Sequence, residues 1–101
     1  MAQKLPLRYR ILHFLSDNGS YSVDDVMAAL KDEYGGEGQF KRPLIANHLQ
    51  SLKAVGMLEH CDVYFDDNGQ LVQKFKITEY GFSRLDYLPT GWQPLSKSIN
   101  A

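Results

Sequence analysis

Only one cysteine, Cys61, occurs in 101 residues, which excludes an internal disulfide framework and fits a reducing compartment. An intermolecular bridge or an exposed thiol at that position stays open. No run approaches the roughly 20 apolar residues that span a bilayer. The opening Met-Ala-Gln-Lys-Leu-Pro-Leu-Arg lacks the apolar stretch of a secretory signal, so a cytoplasmic location is expected. Charge of one sign is also missing: 11 basic residues stand against 12 acidic ones, for a formal net charge of −1. Bulk charge therefore cannot draw this chain to a polyanion. Any polyanion-binding face must be local, because screening cuts the field within about 8–10 Å. Gly35-Gly36-Glu37-Gly38 follows no strand and lacks phosphate-binding spacing, so it reads as a hinge. Nucleophile, base and orienter do not occur together, and the paired acids Asp24-Asp25 and Asp66-Asp67 read as a helix start and a turn. Enzymatic activity and a cofactor are not expected.

What is present is a hydrophobic fraction of 44%, enough for one modest core. Leu7, Ile11, Leu12, Phe14 and Leu15 recur at helical spacing, and Asp17-Asn18-Gly19 stops the pattern, giving a first helix over about 6–17. Ser22 and Asp25 form a weak capping box ahead of Val26, Met27, Leu30 and Tyr34, the stripe of a second helix that ends at the glycines. Pro43 suits the first turn of a third helix, whose Ile45, Leu49 and Leu52 share one face up to about Val55. Gly56 is its expected C-terminal glycine. A strand through Val63-Tyr64-Phe65, the turn Asp66-Asp67-Asn68-Gly69 and a return strand over Leu71–Ile77 make a hairpin. Thr78 then caps a short helix carrying Phe82, Leu85 and Leu88. The expected fold class is α+β, mainly helical, with residues 1–88 as one domain and 89–101 as a tail or arm.

Three helices followed at once by a hairpin and a short helix is the winged helix-turn-helix order. The segment Ile45-Ala46-Asn47-His48-Leu49-Gln50-Ser51-Leu52-Lys53-Ala54-Val55-Gly56-Met57-Leu58 resembles the recognition-helix pattern of bacterial transcription regulators. Phe75-Lys76-Ile77-Thr78-Glu79-Tyr80-Gly81-Phe82-Ser83-Arg84-Leu85 resembles the strand-to-helix segment of the PadR-, MarR- and ArsR-like families. Together the resemblance spans about residues 6–88. Gly35 to Arg42 departs from it, being longer and richer in glycine than the usual turn between the two helices. The resemblance implies a sequence-specific regulator of transcription bound to double-stranded DNA.

With Ile45, Leu49 and Leu52 turned inward, Arg42, Leu44, Asn47, Gln50 and Ser51 are left for an outward or flanking surface. Arginine pairs with the guanine edge, and asparagine or glutamine with adenine, so Arg42 and Asn47 lead as readers of base edges. An ordinary solvated helix face is the competing account. Lys41, Lys53, Lys74 and Lys76 are candidate phosphate contacts, although lysines on a hairpin strand also discourage edge aggregation. Asp66 and Asp67 at the wing tip argue for a wing lying along the backbone rather than deep in a groove.

His48 is expected to pack or bridge. Glu59-His60-Cys61-Asp62 holds metal-ligand types, but alternate strand residues face opposite ways and no metal site is expected. A homodimer, acting as a repressor, is expected because one small module reads too little DNA. Phe82, Tyr87, Leu88 and Trp92 offer an apolar surface for helix 1, for a second copy, or for the monomer core. A protein-interaction module on the same fold is the second functional reading.

Overall fold

The computed structural model describes residues 5–38, 40–89, 92, 94 and 95. Helix α1 spans Leu7–Phe14 and tightens into a 3-10 turn over Leu15–Asp17. The chain leaves that turn through Asn18, whose φ of 68° is left-handed, a conformation that asparagine tolerates better than most residues. Helix α2 covers Val23–Tyr34 with both halves of a capping box formed. The Asp25 amide donates to Ser22 Oγ at 3.3 Å and the Ser22 amide to Asp25 Oδ2 at 2.9 Å. Such a cap stabilises a helix start by about 1 kcal/mol, so aspartate serves here where glutamate is usual.

Helix α3 runs Arg42–Ala54 with Pro43 in its first turn, where a missing N–H costs nothing. Gly56 closes it at φ 84°, and the Met57 amide reaches back to the Leu52 carbonyl at 2.9 Å. Strands β1, Leu58–Phe65, and β2, Leu71–Ile77, pair antiparallel. The register runs Leu58 to Ile77, Glu59 to Lys76 and His60 to Phe75, then resumes at Asp62 to Lys74 with Cys61 as the extra residue of a bulge. Asp66 Oδ1 accepts from the amides of Asn68 and Gln70, each at 2.9 Å, and Gly69 takes φ 76°, which together set the hairpin turn.

Helix α4, Glu79–Arg84, continues as a 3-10 turn over Leu85–Tyr87. Thr78 Oγ1 accepts from the Gly81 amide at 3.0 Å and donates to the Gly56 carbonyl at 2.6 Å. One hydroxyl thus caps α4 and ties it to the exit of α3. Gly81 is buried, and a Cβ there would overlap the Met57 carbonyl.

The core joins all these elements. Ile11, Leu12 and Leu15 meet Val26 and Leu30 of α2, Ile45, Leu49 and Leu52 of α3, Leu58, Phe75 and Ile77 of the hairpin, and Leu85. The inward face expected for the third helix is the buried one, with Ile45 and Leu49 fully covered. Tyr34 is buried with its hydroxyl donating to the Leu5 carbonyl. Tyr21 forms an isolated bridge to Phe75, with amide-to-carbonyl distances of 2.9 and 2.8 Å, and so adds a one-residue third strand. Its hydroxyl donates to Asp17 Oδ2, and the carboxylate pushes the phenol up to about 12.

Beyond Leu88, the Trp92 ring meets His13 edge-on at 5.0 Å and lies 5.3 Å from the Arg10 guanidinium. The Leu95 amide donates to Ser16 Oγ at 2.8 Å. Trp92 and Leu95 thus lie against α1 and the 3-10 turn that follows it in the same chain. Residues 90, 91, 93 and 96–101 fall outside the described residues, and so does most of the expected tail or arm. Among the described residues, no helix is long and apolar enough to cross a membrane.

Candidate nucleic-acid interface

The outer face of α3 presents Arg42, Leu44, Asn47 and Gln50 to solvent, with Ser51 half-buried beside them. Two of these side chains are already engaged. Arg42 Nε donates to Asp24 Oδ1 at 3.0 Å and Nη2 to Asp24 Oδ2 at 3.5 Å. The carboxylate, by hydrogen bond first and charge second, holds the guanidinium pKa above its ordinary value. Gln50 Nε2 donates to Gln73 Oε1 at 3.0 Å, linking α3 to the wing. Between these contacts lies a cleft of about 190 Å³, bounded by the start of α2, by Ala46 and Gln50 of α3, and by Leu71 to Gln73 of β2. Asn47 stays exposed on the same helix.

His48 bridges two helices. Its Nδ1 accepts from Arg8 Nε at 3.2 Å, which joins α3 to α1. Burial first, and the Arg8 charge second, lower its pKa from the ordinary value.

The four lysines do not form one stripe. Lys41 precedes α3 and Lys53 lies in its last turn, both exposed. Lys74 and Lys76 share the outer face of the ribbon, opposite Asp62 and Glu59 respectively. Gln73 and Phe75, on the alternate phase of the same strand, occupy the other face, towards α3 and the core. That inner face continues past the core as an apolar patch: Val63, Phe65 and Leu71 are 50%, 71% and 51% exposed.

His60 packs its ring 4.7 Å from Phe75 on the inner face. Burial first, then the Lys53 charge, lower its pKa. Cys61 is exposed in the bulge, with Sγ 3.6 Å from the Lys74 carbonyl. Glu59, His60 and Cys61 do not converge, and no group of three His, Cys, Asp or Glu side chains suited to a metal occurs among the described residues.

Asp24, Gln73 and Arg8 bond to side chains of α3 and are not singled out by the sequence. Asp24 is explained there as a first-turn acid, and its pairing with Arg42 across 18 residues has no local signal. Gln73 has one available signal, its place on the inward phase of β2 between Leu71 and Phe75.

Helix, helix, helix, wing and closing helix in this packing define a winged helix-turn-helix fold. The structure of Bacillus subtilis PadR in complex with operator DNA is similar over 94% of this chain and 54% of that one, with a TM-score of 0.68 and 22% sequence identity. This chain spans about half the length of that PadR chain. A structure of HOP2, concerned with its DNA recognition and protein interaction domains, is similar over 72% of this chain and 100% of that one, with a TM-score of 0.55 and 19% identity. These likenesses are of fold. No family model and no curated protein matches the sequence.

Proposed function

We propose that this protein binds double-stranded DNA sequence-specifically and regulates transcription, with α3 in the major groove and the wing along the backbone. The observation that carries this reading is the outer face of α3. Arg42, Asn47 and Gln50 project from a helix whose opposite side is locked into the core, and the wing is hydrogen-bonded beside it. Those side chains pair with base edges, and the start of the helix is the part that enters deepest in such docking. The PadR structure, solved with operator DNA, has a fold of this kind. Leu44 and Ser51 flank the readers, Lys41 and Lys53 are the leading phosphate contacts, and Lys74 and Lys76, on the outer face of the wing, are minor ones.

The reading extends to a homodimeric repressor in the cytoplasm. One recognition helix covers too few base pairs for high specificity, and a two-fold pair reads two half-sites. An apolar groove of about 340 Å³ between Leu5, Tyr9 and Leu12 on one side and Met57, Tyr87 and Leu88 on the other supplies a surface for the pairing.

Selection from random duplex DNA at physiological salt, with oligomeric state measured by sedimentation, tests this. A single enriched motif, arranged as an inverted repeat, is the expected result. No enrichment from a folded dimer overturns it. That outcome would favour a protein-interaction module, the reading supported by the exposed Val63, Phe65 and Leu71 of the wing. The HOP2 structure concerns DNA recognition and protein interaction alike.

A further inference from the structure

We propose that Asp24 is a positioning residue that aims Arg42 at guanine. The inference rests on the DNA-binding reading above and adds the base and the device that selects it. A guanidinium carries five donors in a rigid plane. Asp24 occupies one side of that plane, taking Nε at 3.0 Å and Nη2 at 3.5 Å. The side left free is the end of the fork, where one N–H of Nη1 and one of Nη2 run parallel. Two parallel donors require two adjacent acceptors. In the major groove guanine offers them as O6 and N7, whereas adenine sets a donor beside its N7 and thymine has a single acceptor.

The local structure keeps the device assembled. Asp24 and Asp25 are both in the first turn of α2, but Asp25 is committed to the capping box with Ser22. Asp24 is therefore free to reach α3. Arg42 is the first residue of α3, the end that meets base edges. The two side chains remain 58% and 72% exposed, so neither is shut off from an incoming base. An arginine held in one rotamer before binding also loses less freedom when it docks.

Asp24 brings a negative charge close to the DNA, so removing it is expected to raise the sequence-independent part of the affinity. Discrimination, not affinity, is therefore the readout. The test uses the full chain and the selected duplex, with each guanine replaced in turn by 7-deazaguanine, which lacks the N7 acceptor. For the wild-type protein, one guanine per half-site is expected to lose about tenfold in affinity on replacement. In Asp24→Ala that ratio is expected to fall to about twofold, and in Arg42→Lys likewise, since an ammonium cannot make the paired contact. Asp67→Ala removes the same charge at the wing tip and is expected to keep the tenfold ratio. Circular dichroism confirms folding of each variant, which the retained Ser22–Asp25 cap favours. An undiminished ratio in Asp24→Ala, an equal fall in Asp67→Ala, or no sensitive guanine in an enriched motif overturns the proposal and leaves DNA binding standing. Absence of any enriched motif overturns both.

Discussion

Gln50 and Gln73 meet at 3.0 Å across the cleft between α3 and β2, the amide of one donating to the carbonyl oxygen of the other. Both ends stand towards solvent, so the bond adds little to folding. Its consequence is orientation, because it adds a polar tie between the outer face of α3 and a wing whose Leu58, Phe75 and Ile77 are already seated in the core. Gln73→Ala is expected to change stability by less than about 0.5 kcal/mol while weakening specific DNA binding several-fold. A double-mutant cycle with Gln50→Ala should give a coupling of about 0.5–1.5 kcal/mol in binding. Additive losses would show that the two glutamines act independently.

Gly81 and Gly36 should respond oppositely to the same methyl group. At Gly81 a Cβ runs into the Met57 carbonyl and stands 3.0 Å from Ile77 Cγ1, so α4 must back away from the exit of α3. Overpacking of this kind costs about 1–3 kcal/mol, and more where backbone is the obstacle. Gly36 has nothing within 4 Å and no positive φ. There alanine should stabilise by about 0.4–1 kcal/mol through the unfolded chain. Urea unfolding of the two variants checks both signs, and a neutral Gly81→Ala would refute the close approach.

The helices and the hairpin are legible in the sequence because their signals are local. Ile45, Leu49 and Leu52 mark a face by spacing alone, Ser22 and Asp25 announce a start, and Asp66 to Gly69 announce a turn. Contacts made by tertiary packing leave no such trace. The sequence presents Arg42 as a free reader of bases, yet it is held by Asp24, whose position in the first turn of α2 already has a sufficient local explanation. Tyr21 joins the sheet through one bridge to Phe75, too short to produce alternation. Trp92 is legible as apolar but not as to its partner, because His13 and Arg10 lie far back in the chain and no pattern connects them.

Stability should fall as pH drops below neutrality, through His48 and His60. Burial, assisted by Arg8 for His48 and by Lys53 for His60, lowers both pKa values from the ordinary 6.5. Below pH 6.5 the unfolded chain takes up protons that the folded protein still refuses, so the unfolded state gains. The contribution is fully present above about pH 6.5 and is lost as pH falls through the folded values. Urea midpoints should be lower at pH 5.5 than at pH 7.5, and a His48→Gln, His60→Gln double variant should narrow the difference. A difference that stays as wide in the double variant would assign the loss to other groups.

Trp92 is the sole tryptophan and reports on the segment that follows α4. Its edge contact with His13 and its position under Arg10, itself paired with Glu33 at 2.8 Å, hold that segment to α1. Trp92→Phe should retain most of the packing, whereas Trp92→Ala should destabilise by about 1–2 kcal/mol. If the segment completes the monomer, oligomeric state is unchanged in both variants. A monomer produced by Trp92→Ala at unchanged stability would instead make this segment the dimerisation arm.

The lysines should divide by position in the salt dependence of DNA binding. Removing one lysine that neutralises a phosphate reduces the slope of log K against log salt by about 0.9. Lys41 is exposed immediately before Arg42, on the side of α3 proposed to enter the groove, so Lys41→Ala should remove close to one such unit. Lys74 and Lys76 lie on the ribbon face turned from α3, each with a carboxylate directly across the strands, Asp62 and Glu59. Placed there, they stand away from the duplex that α3 would engage. The Lys74→Ala, Lys76→Ala pair should therefore lower the slope by less than one unit in total, not by the roughly two expected of independent contacts. A fall of two units would place the outer face of the wing against the backbone and reverse this order of importance.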